Sequence, residues 1–212
     1  MKPIVYLLIF CLSLSVLAKS TMSYRERKKH FDQRIQLIFD VRETLSIPEE
    51  ETKNPLHQVK LNVEEAYRAG AKAEMEKNLS LAEGEIAFVG RKLCLQVEEI
   101  ASDIYGKAQS AFYQTESQEK QSAKKMEWET KEKVNRYLGM AKLEKDHAKE
   151  FFISGNYHLS LHTYKRSILY SLLSLRAQGL ESPSGYEAAH AAWAEPVWQT
   201  GKQQKSGTIQ TN

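Results

Sequence analysis

The sequence predicts an all-α protein, an elongated bundle of long helices, and three observations carry that expectation. The 212 residues include only 10 Gly and 5 Pro, and Glu, Lys, Ala, Leu and Gln, all good helix formers, are abundant. Apolar residues recur at three- and four-residue steps across most of residues 56–101, the period of one helix face. Finally, two such patterns flank Gly155-Asn156, the residue types that enter a left-handed conformation most cheaply, so a helical hairpin is expected there. A composition of 42% hydrophobic and 27% charged residues suits a domain able to bury a core.

The chain opens with Lys2 and a mostly apolar run over residues 4–18 that ends in Val16-Leu17-Ala18. This is the pattern of a secretory signal peptide, residues 1–18, cleaved after Ala18. At 1.5 Å per residue the run reaches about 22 Å, short of the ~30 Å hydrocarbon core of a bilayer. Export to the periplasm or cell envelope is therefore expected, with membrane contact only if the segment is retained. Removing it leaves Cys94 as the sole cysteine, so no disulfide can form within the mature chain. Between Leu93 and Leu95, Cys94 reads as a small buried hydrophobe. Lys and Arg number 30 against 27 Asp and Glu, too even a balance to favour nucleic acid as a partner.

Residues 19–198 are expected to form a single helical domain. A charged helix is predicted over 22–45, with Tyr24, Phe31, Ile35, Ile38 and Leu45 on its inner face; the basic cluster at 25–29 reads as a solvated face. Pro48 and Pro55 break the pattern, giving a linker over 46–55. The next helix, 56–101, carries Val59, Val63, Ala66, Gly70, Ala73, Leu79, Ala82, Ile86, Val89, Leu93, Val97 and Ile100, either unbroken or joined near Ala69-Gly70 or Gly84. Ser102 and Asp103 can cap a new helix. With no Pro or Gly between Lys107 and Leu138, that helix is expected to run over 103–154, bent near Gly139. Helices over 157–178, stopped by Gly179, and over 186–194, ending at Pro196, complete the domain. Residues 199–212 have too little apolar surface to order and read as a disordered tail.

Two stretches repeat one pattern. Asp103-Ile-Tyr105-Gly-Lys-Ala108-Gln-Ser-Ala-Phe112 and Gly155-Asn-Tyr157-His-Leu-Ser160-Leu-His-Thr-Tyr164 each set an aromatic after a turn residue, a small residue three later and an aromatic seven later. The second copy resembles the tetratricopeptide repeat, with Gly155, Tyr157, Ser160, Tyr164 and Ser167 at the positions of its turn and second helix. That resemblance, over 141–178, implies a helical hairpin of the kind that packs into protein-binding arrays. The copies are 52 residues apart, beyond the 34-residue repeat of that family, so an array with the usual concave groove is not implied. With its signal segment, long helices and aromatic-rich C-terminus, the chain also resembles the periplasmic flagellar-coiling sheath proteins of spirochaetes.

Motifs for chemistry are sparse. His158 and His162 lie four apart, on one helix face, and could share a zinc ion, but no third ligand accompanies them. Carboxylates are scattered as Glu/Lys pairs along helix faces, the arrangement of solvated helices rather than of acid-base catalysis. No Gly-rich phosphate loop and no nucleophile elbow occurs. The reading is a non-enzymatic scaffold or adaptor without a cofactor. It would bind another envelope protein or a second copy of itself through the aromatic anchors Trp128, Tyr157, Tyr164, Trp193 and Trp198. A periplasmic metal- or small-ligand-binding protein using His158 and His162 is the alternative.

Overall fold

The computed structural model describes residues 23–48, 53–121 and 125–200. Of these, 86% are helical and none is in a strand, so the fold is all-α. The signal segment, the middle of the 46–55 linker and the tail from residue 201 lie outside the described residues. The chain divides into two compact units, Met1–Gln36 and Leu37–Asn212.

The described part of the first unit is the opening of helix α1 (Tyr24–Thr44). Ser23 and Glu26 form a capping box there. The Glu26 carboxylate accepts from the Ser23 backbone N–H at 2.8 Å and the Ser23 hydroxyl accepts from the Glu26 N–H at 3.3 Å, which satisfies donors a helix start leaves free. The same backbone hydrogen bond is the main reason the Glu26 pKa lies below its ordinary value.

The second unit begins inside α1 and holds the remaining elements. α1 ends in a Schellman-type turn, with Ser46 at φ 52 and the Ile47 N–H donating to the Arg42 carbonyl. Then come α2 (Lys53–Arg68), α3 (Lys72–Gln121), α4 (Trp128–Ile153) and α5 (Tyr157–Ala177). The last helix, α6, opens at Glu187–Ala189, widens into a π-helical turn over His190–Ala194 and continues over 195–200. α3 is the spine: α2 packs on it, α5 packs on it, and α4 folds back along α5. The core follows the expected periodicity, with Val59, Val63 and Ala66 of α2 buried alongside Leu79, Ala82, Ile86, Val89, Leu93 and Val97 of α3.

The structure decides one alternative that the sequence left open and departs from the expectation at other boundaries. The junction near Ala69-Gly70 is real, so 56–101 is two helices, and α2 starts three residues earlier than expected, at Lys53. No break occurs at Ser102-Asp103; α3 runs through it, and the Asp103 carboxylate bonds Lys107 and Tyr186 instead of capping a helix. The long helix over 103–154 does not exist either. α3 ends at Gln121 and α4 starts at Trp128, because only a reversal brings Val134, Leu138 and Ala141 against α5, and burial of a helix face outweighs local propensity. Lys131 of α4 pairs with Glu116 of α3 at 2.6 Å, and the Met126 N–H donates to Glu119 at 2.6 Å, which fastens that reversal. The first copy of the proposed repeat thus lies mid-helix, and only the second sits at a turn.

That turn forms as expected. Gly155 adopts φ 76, the Asn156 N–H donates to the Phe151 carbonyl, and the Asn156 side chain caps α5 by accepting from the Leu159 N–H at 3.3 Å. α4 and α5 then approach closely along small residues seven apart. Ser160 donates to the Ala148 carbonyl and Ser167 to the Ala141 carbonyl, both at 2.8 Å. Ser174, one heptad further on, is buried with an unpartnered hydroxyl. Replacing Ser167 by Ala should therefore cost about 1 kcal/mol, while Ser174→Ala should stabilise by roughly 0.5 kcal/mol through relief of desolvation and better helix propensity. Chemical denaturation of the two variants reads the opposite signs.

Pro196 does not end the last helix. A proline ring collides with the carbonyl four residues back in an α-helix, and here the preceding turn is π-helical, the Glu195 N–H reaching back to the His190 carbonyl. The wider turn lets the helix carry on past the proline.

Candidate interaction surface

The five aromatic residues expected to anchor a partner are not brought together. Tyr164 is fully buried on α5 and Trp193 is buried on the inner face of α6. Both are core, because each lies on the inner face of a helix packed against α5 or α3. Burial, reinforced by the nearby Glu98 carboxylate, pushes the Tyr164 phenol above its ordinary pKa. Tyr157 is half-buried, edge-on to Phe152 at 5.5 Å between ring centres, and a Cβ on Gly90 would come within 3.1 Å of its own Cβ. Trp198 is half-buried, with the Lys133 ammonium 3.8 Å from its ring centre and the Arg176 guanidinium at 5.3 Å, so cation-π attraction from α4 and α5 holds it down. Trp128 alone remains a free anchor, 76% exposed at the start of α4.

The histidine pair fares similarly. His162 is exposed and His158 half-buried. Desolvation of the part of its ring that lies against the helix lowers the His162 pKa, with Arg166 and Lys165 adding to it. Among the described residues no group of three or more His, Cys, Asp or Glu stands close enough to share a metal ion. Cys94 is buried, its thiol 3.3 Å from the Tyr157 carbonyl, and burial pushes its pKa up to about 11. At that value the thiolate is scarce near neutral pH and the side chain is inert.

The C-terminal helix is fastened by polar contacts that titrate. Tyr186 donates to Asp103 at 2.6 Å, and Arg176 holds Glu195 and lies 3.2 Å from the His190 ring. Burial, followed by the Arg176 charge, depresses His190 below its ordinary 6.5. The unfolded chain then binds the proton more readily, so this contribution is present above pH ~6.5 and is lost as pH falls through the lowered folded value. Asp103 is held below its ordinary 3.8 by Lys107 first and Tyr186 second, so its contribution is lost at still lower pH. Docking of α6 is expected to loosen in two acid steps, read by Trp193 fluorescence. His190→Gln should remove the upper step and Asp103→Asn the lower.

The surface that the sequence reading passed over is on α3. Leu81, Phe88 and Leu95 are 50%, 48% and 48% exposed. They recur every seven residues, two helical turns, and so form one row over about 21 Å on the side of α3 away from its core face. Their signal was present: a second seven-residue apolar spacing ran beside the buried one. Gly84 stands within the row, and a Cβ there would meet nothing within 4 Å. The Lys92 ammonium lies 5.0 Å from the Phe88 ring centre. Such a row can bury apolar area against another helix; it holds no arrangement of groups suited to proton transfer or nucleophilic attack.

A second feature lies where α1 meets α2. A concavity of about 400 Å³ is lined by Phe39, Arg42, Lys53, Asn54, His57 and Lys60, among others. Arg42 and Lys60 both lie over the Phe39 ring, at 4.9 and 5.3 Å. No described helix is long and apolar enough to cross a membrane. No protein-family model matches the chain, and no curated protein and no solved structure matches it either.

Proposed function

We propose that this protein is an exported, non-catalytic helical scaffold or adaptor of the cell envelope that acts by binding protein. The observation that carries the reading is the exposed Leu81, Phe88 and Leu95 row on α3. Large apolar side chains aligned on one helix face mark a contact surface. Trp128, exposed at the start of α4, is a candidate anchor at a separate place. Export rests on the apolar run of residues 4–18 and its Val16-Leu17-Ala18 end. The tetratricopeptide-like reading of 141–178 is supported by the Gly155 turn and the small Ser160 and Ser167 on the packed face of α5; kinship with flagellar-coiling sheath proteins is a proposal on the sequence resemblance alone. A photo-cross-linking residue at position 88, in cells, tests the function: capture of a discrete protein band supports it, and an empty lane at 88, 81 and 128 alike removes it.

The ligand-binding alternative keeps one observation in its favour, the basic concavity between α1 and α2. Calorimetric titration with citrate and with inorganic phosphate, against an Arg42→Met chain, checks it. Saturable heat lost in the variant would favour this reading.

A further inference from the structure

We infer that the α3 row pairs with the same row on a second copy of this chain, antiparallel, with Phe88 on the two-fold axis. The inference deepens the protein-binding reading above and rests on it. Leu81 and Leu95 are equally spaced on either side of Phe88, so an antiparallel pairing sets Leu81 against Leu95 of the second copy and Phe88 against Phe88. An isologous contact of this kind closes on itself and makes a dimer.

Charge decides the orientation. Glu85 and Lys92 fall on one flank of the row, three residues before and four after Phe88. In the antiparallel pairing Glu85 lies beside Lys92 of the second copy, and by symmetry the pair occurs twice. A parallel pairing places equal residues at equal heights. It would then set Lys77 near Lys77 and Glu99 near Glu99 along the seam, and like charges so placed repel. Lys77 and Glu99, eleven residues before and after Phe88, also face each other in the antiparallel pairing, so opposite charges meet there too. Gly84, with open space where a Cβ would stand, removes bulk beside the row and lets the two helices draw near. Three half-exposed side chains per copy make a small seam, below the ~1,200 Å² at which stable interfaces begin, so the dimer is weak and forms at high local concentration.

The test uses the full chain with Cys11→Ser; the buried Cys94 stays in place. Phe88→Cys is expected to give a disulfide-linked dimer under mild oxidation. Leu81→Cys and Leu95→Cys chains should cross-link when mixed and not when oxidised singly. Sedimentation should show a concentration-dependent dimer that Phe88→Glu dissociates with an unchanged helical spectrum. Glu85→Lys or Lys92→Glu alone should weaken association several-fold, and the double swap should restore it. Cross-linking of Leu81→Cys or Leu95→Cys with itself would overturn the antiparallel arrangement. A monomer at all concentrations, with no disulfide formed by the Phe88→Cys chain, would overturn self-pairing. In that last case, capture of a different protein by a photo-cross-linker at position 88 would leave the protein-binding reading standing, so the two ideas fail separately.

Discussion

Replacing Leu93 by alanine is expected to cost the folded protein about 2–5 kcal/mol, while the same change at Leu95, two residues along, should cost roughly 0.5 kcal/mol or less. Leu93 is fully buried on α3, the helix on which both α2 and α5 pack, whereas Leu95 is half-exposed on the opposite side. A buried leucine truncated to alanine loses its transfer free energy and leaves a cavity, because helices already in contact on two sides cannot collapse into the space. Total stability of a domain this size is only about 5–15 kcal/mol, so the loss should be visible as a large drop in the urea midpoint followed by circular dichroism. Equal effects at 93 and 95 would mean that the α3 row is not a free surface but part of the core.

The second large effect is expected at Trp193. Its replacement by alanine should remove about 3–5 kcal/mol from the docking of the C-terminal helix. The indole is buried, and the Lys165 ammonium lies 4.8 Å from its ring centre. Lys165 is itself tied to Asp40 of α1 at 2.6 Å, so the loss reaches the end of α1 through one side chain. The Trp193→Ala chain should show rapid amide exchange over 187–200, while amides of α3 and α5 stay protected. Global unfolding at unchanged cooperativity would instead make α6 an integral part of the fold. Either outcome departs from the sequence expectation of a partner-binding anchor at Trp193, because the ring is spent on the protein's own core. Trp198→Ala, at a half-buried site, is the milder change.

Much of the helical core was legible because burial and spacing coincide. Leu79, Ala82, Ile86, Val89, Leu93 and Val97 recur at helical steps and all are buried. The hairpin turn was legible for a similarly local reason, since Gly155 takes the left-handed conformation its type permits. What misled was any signal whose meaning depends on distant partners. Asp103 has the chemistry of a cap, yet Tyr186, 83 residues on, claims its carboxylate. Residues 107–138 lack every local breaker, yet the chain reverses after Gln121 to bury Val134 and Leu138. Pro196 has the chemistry of a stop, yet the π-turn before it absorbs the ring. Two of the expected anchors were misjudged on the same ground: aromatic type suggested exposed side chains at Tyr164 and Trp193, but both are buried, because exposure is fixed by which helices meet.

The serine seam between α4 and α5 implies a second way to close the hairpin. Sliding α5 by seven residues would set Ser167 against the Ala148 carbonyl and Ser174 against the Ala141 carbonyl, and it would give the unpartnered Ser174 hydroxyl an acceptor. The short connection through Ser154, Gly155 and Asn156 is what forbids that slide, since it has no slack for two helical turns, about 10.5 Å. The linker is thus a gauge block: it fixes the register between two helices whose serine spacing repeats one heptad on.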